Sequence, residues 1–196
     1  TGVLSQLFQN GTLYGSINSA GSAISLITNS DLSKDPLLAR FFKGVFRLRP
    51  TKPKYDRTWD VSIVLEKLKA LWLMDSLTLD KLIHKLVMLL ALGTAQRVQT
   101  LAAIQLDNIR KVPLGYEVEI AKIIKTSRQG AYQPLLILPR FPQGPRLCIA
   151  TTLEEYVRVT ESAKGPLNRQ LLLITGKPFG PASSETVSRW IRTTLA

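Results

Sequence analysis

The chain is 196 residues long, 45% apolar and strongly basic, with 26 Lys and Arg against 14 Asp and Glu for a net charge of +12. That length and apolar share suit one large domain, or a small one beside a medium one, with a core to bury. One cysteine (Cys148) excludes an internal disulfide, one histidine (His84) beside it excludes an ordinary zinc site, and the longest apolar run, Leu86 to Leu92, is far too short to span a bilayer.

The first 32 residues hold no Lys or Arg and one acid, Asp31, and lack the basic region and long apolar core of a signal peptide. Ile17, Ala20, Ile24 and Ile27 stand at helical spacing and predict a short amphipathic helix over 16–28. A second helix is predicted over about 35–48. Leu38, Phe41, Phe42, Val45 and Phe46 form its apolar side, and Arg40, Lys43 and Arg47 share one face at i, i+3, i+7. "LRPTKPKYDRTWD" has Pro50 and Pro53 and no apolar periodicity, so it reads as a linker with a domain boundary near residue 56. Asp60 reads as an N-cap, followed by Val61, Val64, Leu65, Leu68 and Trp72 at helical spacing. Thr78 caps the next helix, which is apolar on all sides over Leu86 to Leu92 and is therefore a central, buried one. A further helix is expected over about 97–109, with Leu101, Ile104 and Leu106 inward.

The periodicity then changes to two. "YEVEIAKII" alternates Tyr116, Val118 and Ile120 with Glu117 and Glu119, and "QPLLILP" reads as its antiparallel partner. The loop between them, "KTSRQGAY", is basic and contains Gly130. Thr152 with Glu155 reads as a capping box opening another helix. "NRQLLLIT" is expected to form a short strand, and Val187, Trp190, Ile191 and Leu195 the apolar side of a last helix. No repeat or low-complexity tract is evident. The expected architecture is mainly α with a small antiparallel β-sheet (α+β).

Beyond residue 32 the balance is 26 basic to 13 acidic residues, or +13. A field of that sign favours a polyanion, with nucleic acid first and an anionic membrane surface second. Within the apolar stretch "LLALGTAQRVQTLAAIQL", Arg97 is the one charge. A guanidinium keeps its proton, so it is either paired with a carboxylate inside the chain or open to an anion from outside. Lys125, Thr126 and Arg128 sit in the hairpin loop. They are either solvated loop residues or, in the case of the lysine, a group able to reach a phosphate or a leaving oxygen. Cys148 has no histidine after it to activate it, which excludes a cysteine enzyme built on that residue. A basic RNA-binding protein rests on charge alone, since few aromatics interleave with the cations.

"GTAQRVQTLAAIQLDNI" resembles the first catalytic box of the tyrosine recombinases, the phage-type integrases. That box runs small residue, any residue, Arg, two residues, Glu, Leu, then spaced apolar residues ending in Asp-Ile. Ala95-Gln96-Arg97 matches its start, and Leu101, Ile104, Leu106 and Ile109 fall on its apolar positions. Thr100 stands where most members have Glu, and Asn108 where they have Asp. "KLVMLLALGTAQRVQTL", "LPRFPQGPRLC" and "TVSRWI" are similar to strings in the recombinases of DIRS-like retrotransposons, including the Ngaro type. "FFKGVFRLRPTKPKYDRTWD" resembles the segment joining their two domains. The likeness runs over roughly residues 12–196, with the strings in order.

The resemblance implies a partial N-terminal helical core-binding (SAM-like) domain with its linker over residues 1–56, and a catalytic-core-like domain over 57–196, the two clamping a DNA duplex. Arg97 would be the first catalytic arginine, binding the non-bridging oxygens of the scissile phosphate. Lys125 matches the hairpin lysine that protonates the leaving 5′ oxygen. Lys122 is the runner-up, because hairpin register is hard to fix from sequence. The implied reaction uses a tyrosine nucleophile and a 3′-phosphotyrosyl link, with no metal and no cofactor. Double-stranded DNA is the expected partner, with self-association on DNA as in family synapses, no membrane and a nuclear location. Arg40, Lys43, Arg47, Arg49, Lys52, Lys54 and Arg57 are expected on phosphates, with Arg128 and Arg189 as further DNA contacts. The family's His-x-x-Arg box and its tyrosine would follow the "TVSRWI" helix, and the sequence reaches Ala196 before either. Tyr116, Tyr132 and Tyr156 are not in the nucleophile's place. The expectation is an incomplete catalytic domain, inactive alone; the alternative is a non-catalytic DNA-binding protein derived from such an enzyme.

Overall fold

The computed structural model describes residues 2–29, 32–51, 59–125, 127–163 and 168–196. The chain divides into two compact units, Thr1–Trp59 and Asp60–Ala196. The expected boundary at residue 56 falls outside the described residues.

The described part of the first unit is helical: α1 (Gly2–Gln9), α2 (Tyr14–Ile27) and α3 (Pro36–Leu48). The sequence reading missed α1, which has only Leu4 fully inward and no cap or charge to mark it. Leu4, Ile17, Leu38 and Val45 form the centre, with Phe8, Tyr14, Phe41 and Phe42 against them. The rings meet edge to face: Phe8 with Phe41 at 6.4 Å and Tyr14 with Phe46 at 5.4 Å. Gly21 lets α2 approach, since a Cβ there would stand 2.6 Å from the Phe42 ring. Asp35 starts α3 by accepting from Leu37 N at 2.8 Å, with Pro36 pre-set in the first turn. Ile27 does not face inward as expected: it sits in the last turn of α2 and is 83% exposed.

The second unit begins with α4 (Val61–Ala70), capped by Asp60, and α5 (Leu79–Thr94), capped by Thr78. Trp72 lies beyond the end of α4 and not on it. Leu82, Ile83 and every residue from Lys85 to Leu90 are buried, which makes α5 the central helix; α6 (Val98–Ala102), α7 (Ile149–Thr160) and α8 (Ser184–Leu195) all pack on it. A three-stranded antiparallel sheet runs in the order β1 (Ile109–Val112), β2 (Gly115–Glu119), β3 (Leu135–Pro139). In its register Tyr116 opposes Leu138 and Val118 opposes Leu136, so this face joins the core, and β3 packs on α5 and α7. Gly115 is required at the β1–β2 turn: its φ is +146°, and a Cβ would lie 2.1 Å from the Leu138 carbonyl oxygen. The mainly helical fold with a small antiparallel sheet is thus present.

Three expectations are corrected. The helix expected over 97–109 ends at Ala102, because tertiary bonds capture the backbone beyond it. Ile104 O accepts from Leu171 N at 2.9 Å, and Leu106 N donates to Arg169 O at 2.8 Å. Leu106–Asn108 instead form a single 3-10 turn, and β1 begins at Ile109, with Arg110 pairing with Glu117 of β2. Thr152 and Glu155 form no capping box: α7 starts at Ile149, the buried Thr152 hydroxyl donates to Cys148 O at 2.9 Å, and Glu155 binds Arg158. "NRQLLLIT" forms isolated bridges, Gln105 with Gln170 and Leu173 with Pro181, and no ladder, although Leu171, Leu172 and Leu173 are buried.

Candidate nucleic-acid interface

The junction of α5 and α6 decides the state of Arg97. The last turn of α5 closes with the Thr94 hydroxyl donating to Leu90 O at 2.7 Å. Ala95 then takes a left-handed conformation, φ +51°, while its N–H still bonds Ala91 O at 3.0 Å. This reversal stops the helix and swings the next residues outward. Arg97 is extended at the N-cap of α6, where its carbonyl accepts from Thr100 N at 2.9 Å. Thr100, Leu101 and Ala102 take the inner side of α6, and Arg97 and Gln99 are exposed. Among the described residues Arg97 has neither a carboxylate nor a carbonyl partner for its side chain. Of the two readings of this residue, the buried ion pair is excluded.

Two residues after Arg97, Gln99 lines a cavity of about 470 Å³. Ala102, Ala103, Ile124 and Ala182 line it too, and Gln170 is tied by its side-chain amide to Ala102 O. Lys122 and Lys125 both line it, opposite Ser183 and Ser184 at the start of α8. The Ser183 hydroxyl accepts from Thr186 N at 3.2 Å, which leaves other amides of that first turn unpaired. Among the described residues no carboxylate lines the cavity, although Glu185 stands in the first turn of α8 beside it. Two lysines and a helix N-terminus make it attractive to an anion. Both hairpin lysines therefore stand at one cavity, and the geometry favours neither.

The remaining expected contacts separate into groups. Arg40, Lys43 and Arg47 are exposed along α3 and unpaired among the described residues. Arg128 is exposed in the hairpin, and Arg189 is exposed on α8. Arg49 differs. Its Nη1 donates to Phe8 O at 2.6 Å, and its guanidinium lies 4.1 Å from the Phe8 ring centre, so it fastens the end of α1 to the end of α3. Its Nη1 is engaged inside the unit, so among the described residues Arg49 carries a structural bond that Arg40, Lys43 and Arg47 lack. Lys52, Lys54 and Arg57, like Thr126 of the loop, lie outside the described residues.

The tyrosines and the histidine hold other posts. Tyr116 donates to Glu154 Oε1 at 2.8 Å. Tyr156 is fully buried, its hydroxyl accepting from Leu173 N at 3.0 Å, and burial pushes its pKa up to about 12. His84 is half-buried, edge-on to Trp190 at 6.1 Å. Tyr132 is fully exposed.

Sequence reading missed Lys85. It is fully buried, donates to Leu71 O, and lies 5.8 Å from the Trp72 ring centre. Burial, with Arg146 beside it, holds its pKa down at about 8. The signal was its spacing: Leu82, Met88 and Leu89 flank it at i−3, i+3 and i+4 on the most apolar helix. A larger cavity, about 670 Å³, opens among Ile109, Tyr116, Leu153 and Val157. Its charges are mostly answered within the protein: Glu154 by Arg140, Arg158 by Glu155, and Arg169 by Asp107 at 3.3 Å. It offers an incoming anion little. Among the described residues no helix is long and apolar enough to cross a membrane.

The chain matches no protein-family model and no curated protein.

Proposed function

We propose that this chain is the DNA-binding part of a tyrosine-recombinase-type enzyme, one that breaks and rejoins DNA during integration or recombination of a mobile element. The observation that carries the reading is Arg97: a lone cation in an apolar stretch, held at a helix N-cap, exposed and unpaired. A structural arginine in such a stretch would have a carboxylate; this one has its whole fork available to a phosphate. The cavity lined by Lys122 and Lys125, with no carboxylate among the described residues that line it, supports the same reading. So does α3, with Arg40, Lys43 and Arg47 exposed on one helix.

In this reading Arg97 grips the non-bridging oxygens of a phosphodiester, and one hairpin lysine delivers a proton to a departing oxygen. Arg40, Lys43 and Arg47 hold the backbone elsewhere and carry no sequence information. In this reading Tyr116 and Tyr156 are not nucleophiles, since both are committed to structural hydrogen bonds.

The test is anisotropy of a labelled duplex across a salt series. Replacing any two of Arg40, Lys43 and Arg47 with Ala reduces the slope of log affinity against log salt by roughly two. Arg97→Ala weakens binding at constant salt. Duplex binding that is absent, or a slope that neither substitution alters, overturns the proposal.

A further inference from the structure

We infer that Tyr132 stacks on a nucleic-acid base, so that the β2–β3 loop grips DNA by a base plane as well as by phosphates. The inference rests on the DNA-binding reading above and adds a contact that reading does not contain.

The loop is a built platform. Its arms close with Ile120 N donating to Pro134 O at 3.2 Å. Ser127 ties the interior: its hydroxyl accepts from Ile124 N at 2.9 Å and donates to Gln133 Oε1 at 2.9 Å. Ala131 N adds a bond to Arg128 O at 3.1 Å. Two residues out from the closing pair stand Lys122 on one arm and Tyr132 on the other. A loop with this much internal bonding could turn its apolar side chains inward, yet Tyr132 is 101% exposed and Ile123 is 82% exposed. Among the described residues the Tyr132 ring has no aromatic neighbour, and its hydroxyl no hydrogen-bond partner.

The charge around it selects the partner. Residues 120–134 contain Lys122, Lys125 and Arg128 and no acid. Glu119 lines the shallow cavity at Tyr132, one carboxylate against the three cations of the loop. An exposed ring on a loop with that cationic excess is the combination that reads a nucleic acid: phosphates are neutralised while an unpaired base covers the ring. An anionic membrane offers the same charge. Against it, the apolar side chains free to insert are few, Tyr132 and Ile123 with the half-exposed Leu135, whereas the cavity beside Lys122 and Lys125 presents Ser183, Ser184 and the start of α8, which are hydrogen-bond donors suited to phosphate. Tyr132 tolerates any unpaired base, because every base has a face to stack on once it leaves the helical stack.

Three variants of the full chain are measured on a mixed-sequence 30-base-pair duplex with a central run of unpaired bases, whose faces are open to stacking, and on vesicles containing phosphatidylserine. Tyr132→Ala is expected to weaken duplex binding about tenfold with the salt slope unchanged. Tyr132→Phe keeps wild-type affinity. Tyr132→Trp keeps affinity, and saturating duplex quenches the additional indole emission. Wild-type-like affinity of Tyr132→Ala together with unquenched emission of Tyr132→Trp overturns the stacking while leaving the phosphate contacts standing. Vesicle binding that blue-shifts and brightens the Tyr132→Trp emission, with no quenching by duplex, overturns it in favour of a membrane. Absence of duplex binding by the wild type overturns the DNA reading and this inference together.

Discussion

Lys85 makes stability depend on pH in a way that can be calculated. Its ammonium is fully buried on α5, bonded to one carbonyl, Leu71 O. The charged group acting on it is Arg146, which repels it. Its pKa falls from 10.5 in an unfolded chain to about 8 in the fold. A depressed lysine pKa means that the unfolded chain binds more protons between those two values. Stability therefore rises with pH through that window, and below pH 8 the full penalty is present. Linkage gives a rise of about 2.5 kcal/mol between pH 7 and pH 10. Tyr156 acts in the opposite sense, with its pKa raised to about 12, but only once unfolded tyrosines begin to ionise near pH 10. In Lys85→Met the rise disappears. At pH 7 that variant loses a buried charge costing about 3 kcal/mol and a charged hydrogen bond contributing roughly 1.5–3 kcal/mol, so the two forms have similar stability there. The decisive quantity is the difference in slope. Urea unfolding at pH 7, 8, 9 and 10, followed by tryptophan emission, measures it, and Trp72 beside Lys85 is a local reporter. Parallel curves for wild type and Lys85→Met would refute the reasoning.

Tyr156→Phe leaves the buried Leu173 N–H without its acceptor, and it lowers stability by about 1–3 kcal/mol in the same urea assay. Arg49→Met keeps the side-chain length but loses the bond to Phe8 O; amide exchange should accelerate in α1 and α3 with little change at α5. Arg97→Ala leaves thermal stability within about 0.5 kcal/mol of wild type, as for a surface substitution, and a melting point lowered by many degrees would restore the ion-pair reading.

Elements with strong local signals were legible before the structure. Asp60 and Thr78 announce α4 and α5, and the alternation of Tyr116, Val118 and Ile120 gives β2 its face. What failed was set by distant partners. Nothing near Ala102 ends a helix there; residues 169–171, almost seventy positions later, do so by taking its backbone bonds. The exposed state of Arg97 depended on one left-handed alanine, a conformation that alanine does not advertise. Arg49 looked like its basic neighbours, because a partner at Phe8 is invisible to helical periodicity. Lys85 was hidden by its helix, where an apolar count absorbs one charge.

The segment around Leu171 has a consequence for the order of assembly. It bonds Ile104 ahead of it and Ala182 behind it, and its neighbour Leu173 takes the hydroxyl of Tyr156. Leu171, Leu172 and Leu173 fill the centre of the second unit. A chain emerging from a ribosome therefore holds α4 to α7 for some time with that centre unfilled and the end of α6 unbonded. Closure waits for contacts of long sequence separation, which slow folding and leave apolar surface exposed meanwhile. Nascent chains halted before residue 168 should be protease-sensitive throughout the second unit, and those extended past α8 should be resistant.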